Sequence, residues 1–139
     1  MKLSMTAIAV VVTGMALAMP AYAQDAEAGK KVFKKCASCH KVGDGAKNGV
    51  GPMLNGVFGR TAGTVEDYKY GKSLVEAGEA GLVWDDEQVS LYITDPKKFL
   101  KDYLKADKIK AKMTYKLKKE QDRIDVIAYI KQFSPEATN

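Results

Sequence analysis

Cys36-Ala37-Ser38-Cys39-His40 is the stretch on which the reading of this chain turns. Two cysteines separated by two residues and followed at once by histidine form C-x-x-C-H, the attachment signature of a c-type haem. Two thiols three positions apart lie on one side of a helical turn, where both can bond to the vinyl groups of one haem edge. The next residue, His40, can then turn its imidazole to the iron. Three other chemistries use a bare C-x-x-C: a thioredoxin-like dithiol, half of a zinc site, and an ordinary disulfide. No βαβ pattern surrounds the motif, as a dithiol enzyme would have. The chain holds two cysteines and one histidine, all within these five residues, so no second ligand cluster exists to complete a tetrahedral zinc site.

Upstream of the motif, residues 1–23 read as a cleaved secretory signal. Lys2 supplies the positive start, Ala7 to Ala18 is an apolar run too short to span a bilayer comfortably, and Ala21-Tyr22-Ala23 is an A-x-A-like cleavage site. Removing 23 of 139 residues leaves 116, residues 24–139, enough for one small domain. Export places the chain in the periplasm, where covalent haem attachment takes place in bacteria. The full chain carries a net charge of +5. Excess positive charge can signal nucleic acid, but an exported chain without a helix-turn-helix or zinc-finger pattern is not expected to bind any. An acidic protein partner is the expectation, with the chain itself a monomer.

Downstream, strand signals are weak and helical segments dominate, so the fold class is all-α. Gly29, Val32, Phe33 and Cys36 share one face of a helix expected from Asp25 to Cys36, with Asp25 as N-cap. Val42 to Ala62 is too rich in glycine for a helix, and Gly51-Pro52 and Gly59-Arg60 stand out within it. A short helix over 71–78 ends at Gly78. Another opens at Asp85-Asp86-Glu87 and runs to about Thr94, and Asp95-Pro96 starts the next with proline at its first position. Ala106 to Leu117 is lysine-rich and poorly periodic, hence loop. A last helix extends from near Lys119 to about Phe133.

His40 is the only histidine, so a bis-histidine iron is impossible. The second axial position falls to Met, Lys, water or nothing. Outside the signal segment only Met53 and Met113 remain. Met53 follows His40 by thirteen residues, inside the glycine loop; Met113 follows it by seventy-three, far enough for the chain to wrap to another face. A methionine in a lysine-rich polar loop is poorly explained as core filler, so Met113 is the expected ligand.

Together these residues make the chain resemble a class I cytochrome c, and within that family the bacterial cytochromes c2. Cys36-x-x-Cys39-His40, Gly51-Pro52-Met53-Leu54, Gly59-Arg60-Thr61-Ala62-Gly63, Trp84, Asp95-Pro96-Lys97-Lys98-Phe99, Lys112-Met113 and Val126-Ile127-Ala128-Tyr129 occur in family order. The resemblance covers essentially all of residues 24–139. It implies helices and loops wrapped around one haem c bound through Cys36 and Cys39. It also implies a crossing of Gly29 and Phe33 against Val126 and Tyr129, with the Pro52 carbonyl accepting from His40. Arg60, Tyr70 and Trp84 match positions that hydrogen-bond a buried propionate, and Tyr92 matches a tyrosine beside the methionine ligand. Two departures stand out. Many relatives carry threonine where this chain has Ala111, and the stretch from Leu100 to Lys112 is longer than in mitochondrial cytochromes c.

The implied function is that of a periplasmic one-electron carrier, not an enzyme. By resemblance, a quinol-oxidising bc complex is the donor and a photosynthetic reaction centre or terminal oxidase the acceptor. Lys34, Lys35 and Lys41 flank the haem motif, and Lys97, Lys98, Lys101, Lys110, Lys112 and Lys116 lie near the methionine. Folded as the family folds, they would ring an exposed haem edge and steer an acidic partner. Two other classes would account for C-x-x-C-H or its parts: a haem protein with an open iron site, and a non-haem dithiol protein.

Overall fold

The computed structural model describes residues 23–135, so the signal reading falls outside it except at Ala23. Among the described residues five α-helices follow one another: α1 (Ala26–Phe33), α2 (Lys72–Glu79), α3 (Asp86–Thr94), α4 (Pro96–Leu104) and α5 (Glu120–Lys131). None of them is long and apolar enough to cross a membrane. The all-α expectation holds, with one isolated antiparallel bridge, Thr61 to Val83, among the described residues.

The helix starts follow from side-chain caps. The carboxylates of Asp25, Asp85 and Asp95 accept from the amides of Ala28, Gln88 and Lys98, at 3.0, 2.7 and 3.1 Å. Each satisfies an amide that the first helical turn leaves without a partner. Asp95 both ends α3 and caps α4, and Pro96 opens α4 where a missing N–H costs nothing.

Two helix ends differ from expectation. α1 stops at Phe33 rather than Cys36. Beyond it the amides of Lys35 and Cys36 bond three residues back, to Val32 and Phe33, so the chain tightens into turns as it reaches the motif. α2 runs through Gly78 to Glu79, and the glycine that ends it is Gly81, at φ +98°. Gly78 serves packing instead: a Cβ there would fall inside the Ala62 carbonyl. That contact, with hydrogen bonds from Ala62 to Leu82, Trp84 to Arg60 and Gly59 to Trp84, zips 59–62 against 82–84. Arg60 and Trp84 are thereby set side by side.

The terminal helices cross as the resemblance implied. At the crossing, a Cβ on Gly29 would overlap the Asp125 carbonyl and lie 2.9 Å from Tyr129 Cβ, so only glycine permits this approach. Phe33 packs its ring on Tyr129, centroids 5.4 Å apart. The buried carboxylate of Asp125 is satisfied by the Asp25 amide at 3.1 Å and by Gln121 Nε2 at 2.8 Å. A second apolar group, Trp84, Tyr92 and Phe99, joins α3 and α4, with Trp84 and Tyr92 centroids 5.0 Å apart.

Phe33 is 7% exposed. Truncating it at a two-helix interface removes both transfer energy and packing, so Phe33→Ala is expected to cost about 3–5 kcal/mol in denaturant unfolding. A loss below about 1 kcal/mol would contradict the crossing as a stabilising contact.

Candidate haem site

The turns after α1 present the motif. The amides of Cys39 and His40 both bond to the Cys36 carbonyl, which winds the five residues into one coil. Both cysteines are half-buried free thiols. Burial pushes the Cys36 thiol up; the nearby Lys35 ammonium opposes this without overcoming it. A dithiol oxidoreductase needs the reverse, a thiol lowered toward the thiolate. No cluster of three or more His, Cys, Asp or Glu side chains that could hold a metal occurs among the described residues, which disfavours the zinc alternative.

His40 is oriented by the glycine loop. Its Nδ1 lies 2.8 Å from the Pro52 carbonyl oxygen. A carbonyl can only accept, so Nδ1 carries the proton and the Nε2 lone pair is left for a metal. Burial holds the imidazole below its ordinary pKa, and the Pro52 bond works in the opposite direction. The loop is pinned under the ring. Gly51 donates to the Cys39 carbonyl at 2.8 Å, and a Cβ on Gly51 would stand 2.5 Å from the imidazole Cε1.

Every residue expected at the site lines one cavity of about 640 Å³: Cys36, Cys39, His40, Pro52, Arg60, Tyr70, Trp84, Tyr92 and Met113. The rest of the wall is mainly aliphatic and aromatic, including Leu54, Val57, Phe58, Leu74, Leu100, Val126 and Ile130. Such a volume lies within the range of cofactor sites. Met53 is not part of the wall. Its amide donates to Asn48 Oδ1 at 3.0 Å and its carbonyl accepts from Arg60.

The polar groups of the wall are few. Arg60, half-buried, donates to the Asn55 carbonyl at 3.1 Å as well as to Met53, so it ties the glycine loop while bordering the cavity. Tyr70 accepts from the Val65 amide at 3.2 Å. Trp84 and Tyr92 also belong to the wall, on side chains only 7% and 9% exposed. Burial raises the Tyr92 phenol far above its ordinary pKa, and the Tyr68 and Tyr70 phenols add to this, so it remains a neutral donor. A cavity with apolar walls, two thiols and an imidazole in one coil, and a few polar groups fits a large planar apolar group with a polar edge. Ala111, also on the wall, adds no donor.

Tyr68 was missed by sequence reasoning. It lines the cavity, donates to the Val50 carbonyl at 2.6 Å and meets Tyr70 edge-on at 4.7 Å. The Tyr-x-Tyr alternation of 68–70 was the available signal.

All nine lysines of the expected ring are exposed, but they are not equivalent. Lys35 and Lys112 border the cavity itself, together with the exposed apolar side chains of Val50 and Tyr115. Lys98 and Lys116 are engaged by Asp102 and Asp95, at 2.5 and 2.6 Å. Lys35 reaches Asp122 at 3.5 Å.

Comparison with known proteins agrees with this geometry. Residues 26–134 match the family described as Cytochrome c. A cytochrome c2 of Cereibacter sphaeroides is 45% identical over 95% of this chain and 97% of its own length. Cytochrome c2 iso-2 of Rhodospirillum centenum is 48% identical over 81% of this chain and 98% of its own. The solved structure of a cytochrome c2 from Rhodospirillum centenum superposes with a TM-score of 0.77 at 48% identity, covering 80% of this chain and 99% of that one. That of cytochrome c2 from Rhodobacter sphaeroides gives 0.75 at 46%, covering 81% and 98%. With the C-x-x-C-H coil opening onto the cavity, the chain belongs to the cytochrome c family: it has the class I cytochrome c fold and is an electron-carrier cytochrome with one covalently bound haem c.

Proposed function

We propose that this chain is a periplasmic one-electron shuttle whose haem iron is held axially by His40 and Met113. The observation that carries the reading is the difference between its two methionines: Met113 lines the cavity and Met53 does not. When bound, haem c supplies a ferrous/ferric couple, and a thioether opposite an imidazole raises its potential. The work of the protein is to orient, exclude water and tune. Pro52 fixes the His40 tautomer, and the aliphatic wall keeps the site dry. Arg60, Tyr70 and Trp84, all on the cavity wall, would hold the haem propionates. By resemblance Tyr92 would stand beside the methionine, as a neutral donor. With His40 and Met113 both holding the iron, nothing would be bound or released there, and the chain would carry electrons rather than catalyse a reaction. Cleavage after Ala23 and release into the periplasm rest on the sequence of the leader.

Methionine ligation is checked by the far-red methionine–iron absorption band of the oxidised protein. Met113→Ala is expected to abolish that band, to lower the potential, and to let the reduced protein bind carbon monoxide. A band that survives the substitution contradicts the ligand assignment.

For partners, we propose a quinol-oxidising bc complex as donor and a photosynthetic reaction centre or terminal oxidase as acceptor. Support comes from the exposed lysines and from Val50 and Tyr115 at the cavity mouth, an apolar centre with positive charge beside it. Attraction between surface charges is screened over about 8 Å at physiological ionic strength. The second-order rate of electron transfer to the partner is therefore expected to fall steeply as salt rises. Lys112→Gln should slow it more than Lys131→Gln, because Lys131 is off the cavity and already paired with Asp86 at 2.8 Å. Flash or stopped-flow kinetics across a salt series decides; a rate flat in salt would remove the electrostatic docking claim.

A further inference from the structure

The segment that carries Met113 is sparsely tied. Among the described residues, one main-chain amide between 107 and 116 finds a protein acceptor: that of Lys110, which donates to Ser73 Oγ at 2.9 Å. The Ser73 amide returns the bond, donating to the Lys110 carbonyl at 3.3 Å. Ser73 is the second residue of α2 and is 3% exposed. Ser73 lies past the N-cap, Gly71, so its hydroxyl is not used to cap its own helix. It accepts from a residue thirty-seven positions away.

The surroundings make this pair a clamp. A Cβ on Gly71, the N-cap of α2, would stand 2.8 Å from the Lys110 carbonyl and 3.1 Å from the Lys112 amide nitrogen. The N-terminus of α2 and residues 110–112 therefore lie backbone to backbone, directly before Met113. The other end of α2 is fixed by Gly78 against Ala62, and Ala77 is 0% exposed, so the clamp rests on an immobile base. Ala111 brings no hydroxyl of its own to the segment.

Resting on Met113 as an iron ligand, we infer that Ser73 is the positioning residue for that ligand, holding the methionine segment closed through the Lys110 amide. Without Oγ, the part-buried Lys110 N–H loses its protein acceptor. That penalty is relieved when residues 110–113 swing out and the amide meets water. The hydroxyl thus biases a local opening rather than global unfolding.

Exogenous imidazole reads the opening, since it takes the iron only when the methionine has left. Its apparent affinity scales with the open fraction. In the oxidised holoprotein, Ser73→Ala is expected to tighten imidazole binding about tenfold. The Lys110 amide should lose its hydrogen-exchange protection while the amides of α5 keep theirs. Because Ser73→Ala could disturb the packing of α2, the isosteric pair Ser73→Thr and Ser73→Val isolates the hydroxyl. The threonine variant should bind imidazole about tenfold more weakly than the valine variant. Unchanged imidazole affinity and Lys110 protection in Ser73→Ala, or equal affinities in the pair, would overturn the clamp. Met113→Ala separates this from the underlying assignment. If its far-red band survives, ligation falls and the inference with it; if the band is lost while Ser73→Ala behaves as wild type, the clamp alone falls.

Discussion

The core of this protein is a wall before it is a core. Of the fourteen buried apolar side chains among the described residues, eight face the cavity: Val57, Trp84, Val89, Tyr92, Leu100, Leu117, Val126 and Ile130. The haem c that this cavity holds gives the lining its dispersion partner, and a chain this small has little other apolar burial. The helices cannot supply the difference, since runs of 8 to 12 residues are marginal alone. The haem is therefore part of the packing, and binding it is coupled to stability. Attachment through Cys36 and Cys39 makes that contribution permanent, which a cavity open to the surface could not otherwise guarantee.

Packing at two points uses glycine as an absence. At Gly29 the missing Cβ lets α1 rest on the Asp125 carbonyl of α5, and at Gly51 it lets the loop pass beneath the imidazole. Neither residue has positive φ, so neither is there for a turn. One sets the distance between the terminal helices and the other the distance between the histidine and its acceptor. Both distances govern how the coil of 36–40 meets the cavity.

Features carried by local chemistry were readable from the residues alone. Asp25, Asp85 and Asp95 announce helix starts because their carboxylates act within three residues, and Pro96 acts on its own φ. The C-x-x-C-H spacing is a local property of one coil. Features carried by long-range contact were not. Gly78 reads as a helix stop because glycine usually is one; only the Ala62 carbonyl pressed against it explains its place inside α2. Ser73 and Tyr68 act on Lys110 and Val50, neighbours that nothing local reveals. The end of α1 was overrun for a related reason: the apolar period continues to Cys36, but the turns that present the motif interrupt the helix. The resemblance located Arg60 without revealing that its guanidinium is already engaged by the Asn55 and Met53 carbonyls.

The two segments that supply the expected iron ligands are held in different ways. On the histidine side, bonds follow one another closely: His40 to Cys36, Gly51 to Cys39, Gly49 to Gly51, Leu54 to Lys41, and Asn55 in reciprocal bonds with Gly43. The imidazole hangs on this mesh through Pro52. On the methionine side, the chain between Ala106 and Leu117 is fastened at its ends. Leu117 donates to the Ile93 carbonyl at 2.8 Å, and Arg123 holds the carbonyls of Leu117 and Lys118 at 3.1 and 2.6 Å. Between those ends the main-chain ties concentrate at Lys110. Local opening free energy follows the number of bonds and contacts that must be given up together. The histidine segment can open only by dismantling the glycine loop and the turn after α1. The methionine segment has fewer main-chain bonds to release, and is held otherwise by Lys112 on the Lys69 carbonyl, Lys116 on Asp95 and the packing of Ile109, Ala111 and Met113 against the core.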